Sequence, residues 1–146
     1  MASINNSIEI ARSQSDVFAY LDQLDRHGEW QDEIVSAKID IEGPVRVGTR
    51  VTEFRKVPGG PKPFTYEVTA HDPPRRSAFH GVSGPIRAVG TVTIEPAGEG
   101  RSRVTLELDF EGHGFGKLML PLVRRDARKH VPANQAKLKE RLESGS

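Results

Sequence analysis

The sequence predicts an α+β domain in which a curved antiparallel sheet of seven strands wraps around one long C-terminal helix. Short segments of alternating apolar and polar residues fill most of the chain up to Phe110, a pattern typical of strands with one buried and one wet face. A glycine-rich crossing at residues 112–116 leads into a segment whose apolar residues recur every three or four positions, as in an amphipathic helix. Because one helix is too narrow to fill the concave side of such a sheet, we expect a pocket between them.

Composition limits the class of protein. A chain of 146 residues is long enough for one domain with a core of its own, which we place at residues 1–143, with a flexible tail at 144–146. It contains no cysteine, which excludes disulfides and thiolate chemistry and fits a reducing compartment. Its start does not have the pattern of a signal peptide, and no apolar stretch approaches the roughly 20 residues that cross a bilayer. We therefore expect a cytoplasmic protein with no transmembrane segment.

Charge is distributed unevenly along the chain. Residues 1–43 carry nine acidic and three basic side chains, whereas residues 117–146 carry eight basic and three acidic ones. A basic helix can bind the phosphates of nucleic acid or an anionic membrane surface. The plainer interpretation is a solvated helix face balanced by the acidic N-terminal part, so nucleic acid is not an expected partner.

One strand and two helices are predicted near the N-terminus. Residues 3–10 alternate isoleucine with polar residues and form the first strand. Ser13 or Ser15 caps the helix that follows, because a serine hydroxyl can accept a hydrogen bond from a free N–H of the first turn. A second, short helix is predicted at residues 25–31.

Six further strands are predicted, separated by segments rich in proline and glycine that favour turns. The segment 58–63 is too rich in both residues to be regular structure. Because alternate loops of an antiparallel meander lie at the same end, loops 58–63, 83–86 and 111–116 are expected to surround the mouth of the pocket. The predicted strands cover residues 34–41, 49–57, 64–71, 76–82, 87–95 and 103–110.

The last helix is predicted at residues 115–142. Pro132 lies inside it and should kink the helix or break it in two, because proline removes a backbone donor. The apolar stripe is narrow where Ala127 and Asn134 replace larger apolar residues, which favours a cavity against the sheet. The free N–H groups at the start of the helix would favour an anionic or carbonyl group of a ligand near the mouth.

The order β-α-α-β6-α is accompanied by short motifs at residues 17–21, Glu29-Trp30, residues 47–50, residues 66–76 and residues 138–143. With these motifs the chain resembles the START-like, Bet v 1-like superfamily, and within it the polyketide cyclase/dehydrase (SRPBCC) branch. The resemblance implies a helix-grip fold with a deep hydrophobic cavity. Members bind lipids, sterols, polyketides, hormones or aromatic compounds, and some cyclise or dehydrate them.

Two residues on predicted strands are candidates for polar contacts in the pocket. Tyr66 shares a face with Phe64 and Val68, so its hydroxyl could orient a carbonyl or phenol, or could be a core tyrosine with a backbone partner. The sequence does not decide which face of the sheet His80 occupies. If Phe79 points outward, His80 is a pocket donor and candidate acid or base, and if Phe79 points inward, His80 lies in solvent.

Two arginines, Arg55 and Arg87, are candidates to hold a carboxylate or enolate at the mouth. The alternative is that both are solvated strand residues, and no settled catalytic set emerges from these four candidates. The residues expected to contact a ligand are Trp30, Phe54, Phe64, Tyr66, Val68, His80, Val92, Phe115, Met119, Leu120, Val123 and Ala127.

Three functional hypotheses follow from the sequence and the resemblance. The first is a binder or carrier of a small hydrophobic molecule, and the second is a polyketide cyclase, aromatase or dehydratase that uses the same cavity. The third is an interaction module that binds nucleic acid, a membrane or a protein through the basic C-terminal helix. The five histidines show no tight ligand spacing, so neither a metal nor another cofactor is expected. The protein is expected to be a monomer or a homodimer.

Overall fold

Seven antiparallel strands and a long C-terminal helix form the framework of the molecule, in a computed structural model that describes residues 4–40, 42–57 and 59–145. The strand order is β1-β7-β6-β5-β4-β3-β2, so the first strand pairs with the last. The predicted α+β helix-grip fold is confirmed. The elements in chain order are β1 (Ile4–Ile10), α1 (Gln14–Leu21), a 3₁₀ helix (Leu24–Glu29), β2 (Ile34–Ile39), β3 (Arg50–Arg55), β4 (Lys62–Asp72), β5 (Arg76–Gly81), β6 (Ile86–Pro96), β7 (Ser102–Gly112) and α2 (Gly116–Glu143).

Some boundaries differ from those predicted. Of the two predicted caps of α1, Ser13 is the one that accepts a hydrogen bond, from the Asp16 N–H at 3.2 Å. The short second helix is a 3₁₀ helix, and β4 begins at Lys62, inside the segment predicted to be irregular. The predicted ends that fall on Ser3, Ile41, Pro58 and Ser146 lie outside the described residues.

The predicted break at Pro132 is wrong, because α2 continues through it as one helix. Pro132 is exposed, so water can hydrate the carbonyl oxygen that loses its intrahelical donor. A proline on the solvent side is therefore tolerated at lower cost than one facing the core.

Two apolar clusters hold the elements together. The larger one joins the C-terminal half of α2, through Leu138 and Leu142, to α1 and to one end of the sheet. The smaller one joins the 3₁₀ helix to strands β3 and β4 through Leu24, Val51 and Val68. The core is thus divided, and its larger part lies at the C-terminal end of α2.

Helix α2 covers only part of the concave face. Its main contacts are with β1 and β7, and to a smaller extent with β6. Its C-terminal half is buried at Val131, Gln135, Leu138 and Leu142, whereas Gly116 is the only described residue of its first half that is buried. The main contacts of α2 thus do not include β3, β4 or β5, and on β3 and β4 the inner face is covered in part by Leu24 of the 3₁₀ helix.

Candidate functional site

The inner faces of β3, β4 and β5 present aromatic side chains to the concave side of the sheet. Val51 pairs with Tyr66 and Val68 pairs with Phe79, so these four side chains lie on one face. The rings of Tyr66 and Phe79 pack at 5.2 Å between centroids. Val51 and Val68 are buried, and with Leu24 of the 3₁₀ helix they form the smaller core cluster, against which Tyr66 packs.

Gly90 allows the ring of Phe79 to lie close to the sheet. The two residues pair across β5 and β6, and a Cβ atom at position 90 would stand 2.7 Å from ring atoms of Phe79. That distance is well inside van der Waals contact. The glycine therefore leaves the space that the Phe79 ring occupies beside the Tyr66 ring.

The opposite wall is the half-buried stripe of α2. Asn134 marks its direction, because its Nδ2 donates a hydrogen bond at 2.9 Å to Glu33 beside β2. Ala127 lies seven residues before Asn134, close to two helical turns, and therefore on the same side of the helix. Leu120 lies two turns earlier again, and Val123 lies beside them. We call the space between this stripe and the inner faces of β3–β7 the concave groove.

The apolar side chains on the inner side of the sheet and on the sheet-facing side of α2 are half-buried, and those of Val92 and Tyr66 pack against the two core clusters. Two open depressions lined by described residues lie elsewhere, one beside α1 and one beside Lys139. The half-buried apolar residues of the groove are Phe64, Tyr66, Phe79, Val92, Leu106, Leu108, Phe110, Leu120, Val123 and Ala127.

The Tyr66 hydroxyl has no hydrogen-bond partner among the described residues. Desolvation raises the pKa of Tyr66 well above its usual value of 10.0, and the nearby Glu53 carboxylate raises it further. The phenol therefore stays protonated at neutral pH and can donate a hydrogen bond into the groove. The pairing of β4 places Tyr66 on the same face of the sheet as Val51, Val68 and Phe79.

The two tyrosines of the chain allow a test of this environment by pH titration. Desolvation is the main cause that raises the pKa of both Tyr66 and Tyr20 above 10.0. Near-ultraviolet phenolate absorbance should therefore rise only above pH 10 in the folded protein, and near pH 10 after denaturation. Because the unfolded chain loses these protons first, stability should fall as pH rises past 10. A folded-state component that titrates at or below pH 10 and disappears in Tyr66→Phe would contradict this assignment.

Arg55 does lie near the groove, but its guanidinium is occupied. It donates hydrogen bonds to Glu53 at 2.9 Å and to Glu33 at 3.1 Å, and both Nη atoms reach Gln31 Oε1 at 3.2 Å. Two carboxylates already neutralise its charge. The prediction that Arg55 holds a ligand carboxylate is therefore corrected to a structural role.

Glu53 is the residue of this site that the sequence analysis passed over. It shares the inner face with Val51 and is only 5% exposed, and its partner Arg55 lies two residues along the same strand. Its position indicates this role, because Glu53 lies two residues after the buried Val51 and side chains two apart on a strand share one face. With Arg55, Glu33 and Asn134 it forms a polar bridge from β3 to α2 at one side of the groove.

Three predicted site residues lie on the outer face of the sheet. Since Phe79 points inward, His80 points outward, where its Nε2 lies 2.8 Å from Glu111. Arg87 pairs with Glu111 in the β6–β7 register, and Phe54 is 41% exposed opposite Pro63. Their predicted roles in the pocket are corrected because the register places all three on the convex side.

Four other predicted contact residues are either buried or turned to solvent. Trp30 lies in the larger core cluster and Val68 in the smaller one, so they support the groove without being open to it. Phe115 and Met119 are exposed at the start of α2. The first N–H groups of α2 are also engaged, because those of Gly116, Lys117 and Leu118 donate to carbonyls three residues back. They are thus not free to bind an anion.

The described residues contain no group of three or more histidine, cysteine or acidic side chains placed to hold a metal ion. Within the same described part of the chain, no helix has the length and apolar character to cross a membrane.

Comparisons with known proteins agree on a family and a fold. A family model described as polyketide cyclase/dehydrase and lipid transport matches residues 1–143. A solved Thermus thermophilus protein is 24% identical, with a TM-score of 0.80 and 98% of each chain covered. A START superfamily protein of Mycobacterium smegmatis is 16% identical, with a TM-score of 0.79 and 98% of each chain covered. Zhui aromatase/cyclase from a Streptomyces species is 14% identical, with a TM-score of 0.81 over 96% of this chain and 92% of that one. At these identities the likeness establishes the fold alone, and no curated protein matches significantly.

Proposed function

The chain belongs to the polyketide cyclase/dehydrase and lipid transport family, and we propose that it binds a small, mostly apolar ring compound in the concave groove. The observation that carries the proposal is the unpartnered Tyr66 hydroxyl among half-buried apolar side chains. An apolar surface with one convergent polar group is typical of small-molecule sites. Membership of this family confirms the resemblance found in the sequence.

The chemistry of the groove favours one kind of ligand. Burial of apolar ligand surface contributes about 25 cal/mol per Å² before ordering costs. Tyr66 is neutral and can donate a hydrogen bond, so a carbonyl or phenol oxygen is the matching polar group. Ala127 is the smallest side chain of the α2 stripe, and we expect a flat ring to fit between it and the paired rings of Tyr66 and Phe79. An aromatic or polyketide compound therefore fits better than a flexible alkyl chain.

A second candidate is an enzyme that cyclises, aromatises or dehydrates such a compound in the same groove. The observation in its favour is that a neutral phenol, Tyr66, and a buried carboxylate, Glu53, lie on the same inner face. These are a proton donor and a proton acceptor of the type used in general acid–base catalysis. Against it, Glu53 is held by Arg55 at 2.9 Å, and His80 is outside the groove. We therefore place binding before catalysis.

Replacing Tyr66 by phenylalanine separates the polar contact from apolar burial. With naphthoquinone as a probe, Tyr66→Phe should weaken binding by about 3- to 10-fold, the effect of one lost neutral hydrogen bond. With naphthalene, which lacks the carbonyl oxygens, the same variant should bind as the wild type does. Isothermal titration calorimetry measures both affinities.

The control variant is Tyr20→Phe, whose hydroxyl donates to Glu29 away from the groove and which should leave both affinities unchanged. Equal losses of affinity for the two probes in Tyr66→Phe, or a loss of affinity in Tyr20→Phe alone, would contradict the proposed hydrogen bond from Tyr66 to the ligand. Turnover of a polyketide substrate that falls by about 10²–10⁴-fold in Tyr66→Phe would instead establish the enzyme.

A further inference from the structure

The start of α2 carries three large apolar side chains that contribute nothing to the core. Phe115, Leu118 and Leu122 are 70%, 84% and 69% exposed. Their spacing of three and four residues places them side by side along one edge of the helix. Leu122 lies nine residues, or two and a half helical turns, before the buried Val131, so the two side chains are on opposite sides of the helix. This edge, which we call the apolar tip, therefore points away from the sheet.

Unpaired cations lie beside the apolar tip. Among the described residues, no carboxylate lies within 4.0 Å of Lys117, Arg125, Arg128 or Lys129, and all four are exposed. The other two charged side chains of these turns have partners. Arg124 bonds to Asp109 at 3.0 Å, and Asp126 lies 3.2 Å from His130. Arg125 and Lys129 continue the edge of the tip and Lys117 and Arg128 lie to one side of it, and we call these four cations the basic rim.

We propose that the apolar tip docks on the surface of an anionic lipid bilayer. A basic helix with exposed apolar side chains is suited to lie in the headgroup region, with the apolar residues inserted and the cations among the phosphates. The tip is a convex edge and not a groove that would receive a peptide. A second copy of the chain is disfavoured, because a symmetric contact would bring the two basic rims together.

Docking at the tip would bring the groove close to the bilayer. Gly116 lies against the β5–β6 loop, since a Cβ atom there would stand 2.1 Å from the Pro85 carbonyl oxygen. The groove wall begins in the same turns of α2, at Leu120 and Val123. An apolar ligand could therefore leave the membrane next to the groove, although docking itself does not depend on the proposed ligand.

Co-sedimentation of the full chain with lipid vesicles tests the proposal. We expect binding to phosphatidylcholine vesicles that contain phosphatidylglycerol, weaker binding to phosphatidylcholine alone, and weakening by salt. The double variant Leu118→Ser with Leu122→Ser should lower the partition coefficient at least about tenfold, because two apolar side chains no longer insert. The matched control changes two exposed valines on other surfaces, Val35→Ser with Val47→Ser, and should bind as the wild type does.

A charge variant tests the rim separately. Arg125→Gln with Lys129→Gln should weaken binding to the anionic vesicles only, whereas Arg75→Gln with Arg76→Gln at the β4–β5 turn should not. No binding to anionic vesicles, or equal binding by the two serine double variants, would overturn the proposal. A dimer of the wild type that the Leu118/Leu122 variant dissociates, seen by light scattering, would overturn it in favour of a second copy.

Discussion

Replacing Arg55 by methionine is expected to lower the free energy of unfolding by about 2–3 kcal/mol, because two carboxylates lose the guanidinium that bonds to both of them. Glu53 is 7% exposed in its side chain and Glu33 is 17% exposed, and both bond to Arg55 within 3.1 Å. A buried pair that loses one member costs more than the pair itself contributes, since the remaining charge stays desolvated. Urea denaturation of the variant and the wild type measures the change.

Arg50→Met provides the matched control on the same strand. Arg50 pairs with Glu67 at 3.1 Å on the outer face, where it is 51% exposed, so the same substitution should cost less than about 1 kcal/mol. Adding Glu53→Met to Arg55→Met should recover part of the loss, because one unpaired carboxylate is then removed. Equal costs at positions 50 and 55, together with a loss of naphthoquinone binding in Arg55→Met, would show instead that Arg55 serves the ligand.

The strands could be recognised in the sequence because each has one buried face and one solvent-exposed face. In β7, Val104, Leu106 and Leu108 alternate with polar residues, and the register with β1 and β6 follows that alternation. The same reasoning could not orient β5, where Phe79 and His80 are both compatible with a buried face. The pairing of Val68 with Phe79 shows that Phe79 faces inward. The sequence of one strand alone does not determine how it pairs with the next.

Side-chain contacts between residues that lie far apart in the chain also could not be predicted from the sequence. Arg55 lies more than 20 residues from Gln31 and Glu33, so its charge looked free when the strand was considered by itself. At the start of α2 the error was of another kind. Phe115 and Met119 were expected to contact the ligand from the first turns of the helix, yet both are exposed to solvent.

Replacing Ala127 by tryptophan is expected to weaken binding of naphthoquinone and naphthalene by about 100-fold, because overpacking of a site costs roughly 1–3 kcal/mol. If the ligand binds in the concave groove as proposed, the indole would compete with it for the same side of α2. The free energy of unfolding should change by less than about 1 kcal/mol, since Ala127 belongs to neither core cluster. Calorimetric titration measures the affinities.

The control is Ala136→Trp, which places the same side chain on the exposed side of the same helix and should leave both affinities unchanged. Loss of binding in both variants would point to damage to the helix and not to occupation of the groove.

Native mass spectrometry of the protein purified from its own host tests most directly whether the groove holds the ligand. The wild type and Ala136→Trp should each carry an additional mass that solvent extraction identifies as a small, largely apolar ring compound, and Ala127→Trp should carry none. An Ala127→Trp protein that keeps this compound, or a wild type that carries no compound and binds neither probe, would contradict the account.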